Sequence, residues 1–174
     1  MKKILFAFSI FLSFVVQTNV FANASNIQTA KNLNGDVVAV WHTFDGTDFN
    51  LASSTLPNGG TWSSSVSIGD PSHTEMNPVV AINNLGHIVI VWSAIDLGIN
   101  VLYMIEYNGV TWSSITQVSA SDETILPNNY SIKFDDTDWL VITWSSYSLT
   151  LFDNIVRSSF GTFGSPLSGP TTLG

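Results

Sequence analysis

The sequence contains no cysteine among its 174 residues. This absence excludes disulfide bonds, metal sites built on thiolates and lipid attachment through an amino-terminal cysteine. The three histidines, His42, His73 and His87, occupy different positions of the sequence repeat described below. Because they need not converge in the fold, we expect no metal site and no cofactor.

Positive charge is also scarce. The chain has five lysine and arginine residues against thirteen aspartate and glutamate residues, and Lys2 and Lys3 are two of the five. All thirteen acidic residues lie after residue 22. A surface of this sign repels phosphate backbones, which excludes a nucleic-acid partner and disfavours an anionic membrane surface.

Familiar catalytic motifs are missing as well. The sequence has no G-x-S-x-G element for a serine nucleophile, no phosphate-binding loop and no dinucleotide fingerprint. Beyond the first residues, no segment sustains the 3.6-residue apolar period of an amphipathic helix. These absences predict an all-β protein and favour binding over catalysis.

The one long apolar run lies at the amino terminus. Lys2 and Lys3 precede an apolar stretch over residues 4–16, and Val20-Phe21-Ala22 then offers small residues before a cleavage point. This layout is typical of a secretory signal peptide, and the run is shorter than the roughly 20 residues that span a bilayer. We expect residues 1–22 to direct export to the periplasm, the medium or the cell surface, and residues 23–174 to form one domain.

What is present after residue 22 is a repeat. Trp41, Trp92 and Trp144 follow one another at 51 and 52 residues, and Trp62, Trp112 and Phe163 form a second series with nearly the same step. A period of about 50 residues is the length of one four-stranded propeller blade. The spacing therefore predicts three blades.

Each repeat tryptophan ends an apolar, β-branched run. These runs are Val37–Trp41, Ile88–Trp92 and Leu140–Trp144. Such runs suit strands covered on both faces, and we expect them near the propeller axis. Each follows a turn and an earlier short strand, and polar loops and further strands come after it. The count gives about twelve strands, arranged as three permuted blades in which the first strand of the chain completes the last blade.

The stretch from Asn77 to Trp92 and the G-x-T-W-S elements at Trp62 and Trp112 resemble the blades of sialidase-like propellers, including the bacterial neuraminidase or Asp-box repeats. The resemblance implies a propeller fold over nearly all of residues 23–174. The repeats are degenerate, because the aspartate position of the box carries Pro57 in one copy and Tyr107 in the next.

The resemblance does not extend to sialidase activity. That activity uses three arginines, a tyrosine–glutamate pair and an aspartate, whereas this chain has one arginine, Arg157. We therefore expect an exported binding or interaction module for a glycan or a protein. Two alternatives remain: a fragment or relative of a sialidase-like glycoside hydrolase without a complete catalytic set, and a purely structural repeat module.

Four residues are candidate ligand contacts. Asp45 and Asp48 flank Gly46 in the loop after the first repeat tryptophan, and Asp96 lies in the matching loop after the second. Carboxylates in such loops bind cations or polar ligands, although solvated turns carry them too. Trp139 breaks the repeat pattern, which favours an exposed contact, while the regularly spaced tryptophans are expected to pack in the core.

Three blades are fewer than the four to eight that close a propeller. We expect an open arc unless a longer chain or an oligomer completes it. Two copies joined head to tail would form a six-bladed ring, in which exposed strand edges disappear.

Overall fold

The computed structural model describes residues 24–44, 46–135 and 137–173. The predicted signal peptide, Asp45 and Asp136 lie outside these residues. The described chain forms twelve β-strands and no α-helix. Within it, no helix is long and apolar enough to cross a membrane.

The strands form three separate four-stranded antiparallel sheets, each built from four consecutive strands. Blade 1 contains β1 (Ser25–Lys31), β2 (Val37–Phe44), β3 (Phe49–Leu56) and β4 (Val66–Ser67). Blade 2 contains β5 (Glu75–Ile82), β6 (Ile88–Asp96), β7 (Ile99–Tyr107) and β8 (Thr116–Gln117). Blade 3 contains β9 (Glu123–Phe134), β10 (Trp139–Ser148), β11 (Asp153–Thr162) and β12 (Thr171–Thr172). The predicted open arc of three propeller blades is confirmed.

The predicted permutation of strands is wrong. β1 pairs with β2 in its own blade, in register from Lys31 opposite Val37. The last blade is already complete, because β12 pairs with β11. The tight turn over residues 32–36 joins β1 to β2 directly, and its short connection favours pairing of neighbouring strands over exchange between blades. Each blade is a simple meander.

The position of the tryptophan strands also differs from the expectation. The first strands β1, β5 and β9 contact one another from blade to blade, so they lie on the inner side where the blades converge. The tryptophan strands β2, β6 and β10 are second in each sheet. Their apolar character comes from burial between sheets rather than from the propeller axis.

Apolar side chains pack at two junctions between blades. In each blade, one face carries the repeat tryptophan, and we call this the tryptophan face. In blades 2 and 3 this face packs on the blade before it. Side chains at the junction of blades 1 and 2 include Val38, Val40 and Leu51 against Ile88, Ile90 and Trp92. Side chains at the junction of blades 2 and 3 include Val89, Val91 and Leu102 against Leu140, Ile142 and Trp144. The predicted core role of Trp92 and Trp144 is confirmed, since each is 1% exposed.

The first strand of each blade contains a residue with left-handed backbone geometry. These residues are Asn26, Asn77 and Asn128, with φ of 51°, 53° and 61°. Asparagine tolerates this conformation better than other residues with a side chain. In each blade the pairing with the tryptophan strand shifts around this asparagine, so a β-bulge recurs with the sequence period.

Candidate functional site

Two kinds of loop meet at one end of blades 1 and 2. The loops that follow the tryptophan strands β2 and β6 lie there, because these strands run in the same direction in equivalent sheets. The link from blade 1 to blade 2, over residues 68–74, reaches the same end and brings polar side chains against both loops. This end is where carboxylates from separate parts of the sequence come together.

His73 is the centre of a polar group of side chains. Its Nδ1 atom lies 3.4 Å from Oδ2 of Asp70, and its Nε2 atom lies 3.8 Å from Oδ1 of Asp96. The Tyr103 hydroxyl donates a hydrogen bond to Oδ2 of Asp96 at 3.2 Å. We call Asp70, His73, Asp96 and Tyr103 the His73 cluster. Its side chains are partly exposed, with 25% for His73, 44% for Asp70 and 38% for Asp96.

The carboxylate of Asp70 is held by its own loop. The backbone N–H and the hydroxyl of Ser72 both donate to Oδ1, at 2.9 and 2.7 Å. Hydrogen bonds to the charged form lower a carboxyl pKa, and the bonds from Ser72 lower the pKa of Asp70. Asp70 therefore carries a fixed negative charge beside His73.

Tyr103 contributes an aromatic ring and a hydroxyl to the same cluster. Its ring centroid lies 6.0 Å from that of His73 and 6.3 Å from that of Trp92. Burial, with the neighbouring charge of Asp96, raises the pKa of Tyr103. The phenol therefore stays protonated and acts as a hydrogen-bond donor.

Glu75 lies beneath the cluster and has a structural role. It belongs to blade 2 and has no exposed surface. Its Oε2 atom accepts the N–H of Leu51 in blade 1 at 2.9 Å, and Oε1 accepts the N–H of Asp70 at 2.6 Å. Burial raises the pKa of Glu75 to about 7. Because both oxygens are occupied by backbone donors, this carboxyl group joins two blades and cannot deliver a proton to a ligand in the cluster.

The structure brings two of the predicted ligand residues to the same end. Asp96 is part of the His73 cluster, and Asp48 accepts a hydrogen bond from the hydroxyl of Thr74, the residue after His73. Asp45 lies outside the described residues. Sequence reasoning therefore found two of the carboxylates at this end, but it did not find Asp70, His73 or Tyr103.

Trp139 lies at the other end of the molecule. It begins the tryptophan strand of blade 3, whereas Asp96 ends that of blade 2. Its ring centroid lies 5.9 Å from that of Phe160, and 41% of the residue is exposed. Trp139 and the carboxylates thus do not form one site.

Arg157 is engaged in an ion-pair network within blade 3. Its two terminal nitrogens each lie 3.2 Å from an oxygen of Asp122, and its Nε atom lies 3.5 Å from Oε2 of the buried Glu123. Glu123 also accepts hydrogen bonds from the Trp144 indole and the Ser146 hydroxyl. The guanidinium group of Arg157 is therefore held by Asp122 and Glu123 and is not available to a ligand.

No group of three or more histidine, aspartate or glutamate side chains in the described chain is arranged to hold a metal ion. The His73 cluster instead offers carboxylate acceptors, one imidazole and one phenolic donor around an aromatic ring. Aromatic faces and carboxylates together suit a hydroxyl-rich ligand, because the ring covers apolar C–H groups while the carboxylates accept O–H donors.

No family model matches the sequence, and no curated protein matches it. Solved structures do match. A polysaccharide lyase, Uly1, superposes with a TM-score of 0.54 at 10% identity over 85% of this chain and 40% of that one. A putative glycoside hydrolase from Parabacteroides distasonis gives 0.38 at 8% identity over 86% and 72%. The α-L-arabinofuranosidase PaAbf62A from Podospora anserina gives 0.31 at 10% identity over 88% and 69%.

These structures are carbohydrate-active enzymes, and the likeness to the lyase concerns the fold alone. This chain spans two fifths of the length of that lyase. The resemblance to sialidase-like repeats has no matching family model behind it. The propeller-like architecture is therefore the level at which this chain is related to known structures.

Proposed function

We propose that this protein is an exported, non-catalytic module that binds uncharged saccharides at the His73 cluster. The observation that carries the proposal is the contact of Tyr103 with Asp96, 3.2 Å from hydroxyl to carboxylate, at a partly exposed surface formed by blade 2 and the link that precedes it. A phenol ring beside an accessible carboxylate provides both a stacking surface and an acceptor for sugar hydroxyls.

The charge of the cluster favours a neutral ligand over an acidic one. Asp70 and Asp96 lie on either side of His73, and Asp48 lies next to it through Thr74. Like charges at short range repel one another, so uronate or sulfate groups would bind more weakly than neutral sugars. The positive side chain of Arg157 is already paired with Asp122 in another blade.

A binding role fits the chemistry better than a catalytic one. General acid catalysis of glycoside cleavage needs a carboxylic acid within reach of the bond that breaks. Burial raises the pKa of Glu75 to about 7. However, the residue is fully buried, and both of its carboxylate oxygens accept backbone N–H groups. The proposal therefore assigns ligand contacts to Asp70, His73, Asp96 and Tyr103 and a proton-transfer role to none of them.

Calorimetry with neutral oligosaccharides and matched uronate-containing oligosaccharides tests the proposal. We expect binding of neutral ligands, and at least a tenfold loss of affinity in Tyr103→Ala and in Asp96→Ala. Asp153→Ala is the matched control, because Asp153 is an exposed carboxylate at the start of β11 in blade 3 and its substitution leaves the cluster intact.

Three outcomes would contradict the proposal. They are no saccharide binding at millimolar concentration, tighter binding of the uronate series, and equal losses in Asp153→Ala and Asp96→Ala. Release of a fluorogenic leaving group from glycosides by the purified protein would instead support the hydrolase alternative.

A further inference from the structure

The two ends of the arc expose faces that are buried inside it. The tryptophan faces of blades 2 and 3 pack on the preceding blades, and Trp92 and Trp144 are 1% exposed there. Trp41 occupies the same position in blade 1 and is only half-buried, because no described blade precedes it. Within the described residues, the tryptophan face of blade 1 is therefore an interblade surface that no other blade covers.

The opposite face of blade 3 is unpartnered in the same way. Leu51, Leu102 and Val156 occupy equivalent positions, each on the third strand opposite the residue after the repeat tryptophan. Leu51 and Leu102 are 0% exposed at the two junctions, whereas Val156 is 43% exposed. The described arc thus has two different outer faces, one of each kind that forms its internal junctions.

An aromatic stack at the junction of blades 2 and 3 indicates how the tryptophan face of blade 1 would fit the exposed face of blade 3. His87 of blade 2 stacks on Phe163 of blade 3, with ring centroids 4.2 Å apart and an interplanar angle of 13°. In the repeat, Trp139 takes the place of His87, since each lies five residues before the repeat tryptophan. In blade 1, the repeat position of Phe163 is occupied by Trp62. Trp139 is 41% exposed and Trp62 is 49% exposed.

We propose that two copies of this chain associate head to tail through these faces, with Trp139 of each copy stacked on Trp62 of the other. The ends of one arc cannot meet, because three blades are too few to close a propeller. A second copy supplies both missing faces at once, continues the register of the internal junctions and closes a six-bladed ring with two identical heterologous contacts. The proposal is independent of saccharide binding.

Lysine side chains on the inner strands give the interface a salt dependence. Lys31 lies opposite Val37 in the strand pair, on the tryptophan face of blade 1. Lys133 lies opposite Val141, on the face of blade 3 that is opposite its tryptophan face. Their equivalents at the internal junctions are Ile82 and Ala81. Ring closure brings the two ammonium groups to the same junction, and added salt screens their repulsion.

Light scattering on the purified protein tests this proposal. We expect a mass of two chains that does not grow with concentration, and a dimer that tightens several-fold between 50 mM and 500 mM salt. Trp62→Asp and Trp139→Asp should each weaken dimerisation at least tenfold. Val110→Asp is the control, because Val110 is 82% exposed in the turn after β7 and lies on neither face.

Mixing Trp62→Ala with Trp139→Ala, which adds no charge to either junction, separates head-to-tail pairing from other arrangements. A mixed dimer keeps one native junction, with Trp139 from one chain and Trp62 from the other, so the mixture should dimerise more tightly than either variant alone. A monomer at all concentrations and salt levels overturns the proposal. A mixture no tighter than its components, or a mass that rises without limit, overturns the closed head-to-tail ring. Circular dichroism confirms that each variant keeps its sheets.

Discussion

Gly69 lies directly against the carboxylate of Glu75, so that a β-carbon at position 69 would come within 1.7 Å of Oε2. Gly69 closes blade 1 and Glu75 opens blade 2. In blade 2 the equivalent position is Ser119, whose hydroxyl accepts the N–H of Leu102 at 3.0 Å. The carboxylate of Glu75 thus takes the place that a serine hydroxyl occupies in the next repeat, and glycine leaves room for it.

We expect Gly69→Ala to lower the free energy of unfolding by about 1–3 kcal/mol, the usual cost of overpacking. The added methyl group must displace a buried carboxylate that accepts the N–H groups of Leu51 and Asp70. In a Glu75→Ala background the same substitution should cost less than half as much, because nothing then occupies the space. Urea unfolding measures both values.

Gly169→Ala is the matched control, since a β-carbon there meets nothing within 4 Å. Equal costs of Gly69→Ala with and without Glu75 would contradict the close packing of the two residues.

Glu75 also predicts a pH dependence of stability. Burial raises its pKa from 4.5 to about 7, so the folded protein keeps a proton that the unfolded chain releases in this interval. The free energy of unfolding should therefore fall as pH rises from 4.5 to 7, by at most about 3 kcal/mol. Asp36 and Asp135 have lowered pKa values and act with the opposite sign at more acidic pH, below the range of this fall.

Glu75→Gln removes the titrating group while keeping its shape. We expect the variant to lose the part of the fall between pH 4.5 and 7 that Glu75 contributes, whatever its absolute stability. Glu106, whose pKa burial raises, and His42, whose pKa burial lowers, titrate in both proteins and cancel in the comparison. Chemical unfolding of both proteins at several pH values gives the comparison, and parallel profiles would contradict a raised pKa in the folded state.

The spacing of Trp41, Trp92 and Trp144 predicted the number and size of the blades, because one aromatic position per repeat must fill the space between consecutive sheets. The same spacing could not predict which sheet β1 joins. That choice depends on the turn over residues 32–36, where Asn32 accepts the N–H of Asp36 at 2.9 Å and makes direct pairing of β1 with β2 the shortest route.

The site was only partly predictable. Asp48 and Asp96 stood out because they follow repeat tryptophans, and both reach the end of the molecule that carries the His73 cluster. His73 did not, because it has no counterpart at the equivalent positions of the other repeats. Its partners come from its own link and from strands β6 and β7 of blade 2, and only the fold of that blade places them beside the link.

Arg157 should be the residue of blade 3 most sensitive to loss of charge. We expect Arg157→Leu to cost about 3–5 kcal/mol, because it leaves the fully buried Glu123 without its counter-ion,. Asp122→Asn should cost about 1 kcal/mol or less, since the Asp122 side chain is 38% exposed and solvent screens the pair,. Thermal and urea unfolding measure both.

The double variant Arg157→Leu with Glu123→Gln supplies the control for this prediction. Removing the second charge should recover a substantial part of the loss, because the remaining cost is then that of hydrogen bonds rather than of an unpaired charge. If Arg157→Leu lowers the free energy of unfolding no more than Asp122→Asn does, the ion pair of Arg157 with Glu123 does not stabilise the fold.

The recurring asparagine bulge gives a further prediction, centred on Asn77. Its φ of 53° is strained for a residue with a β-carbon, so Asn77→Ala should cost about 1–2 kcal/mol. Asn77→Gly relieves the backbone strain and loses only the hydrogen bond from the Asn26 amide at 3.2 Å, so it should be at least about 1 kcal/mol more stable than the alanine variant.

Asn129→Ala is the control, because Asn129 is an exposed asparagine of β9 that is not among the residues with positive φ. An alanine variant as stable as the glycine variant would mean that the bulge relaxes to ordinary strand geometry, and the repeat of left-handed asparagines would then have no energetic consequence.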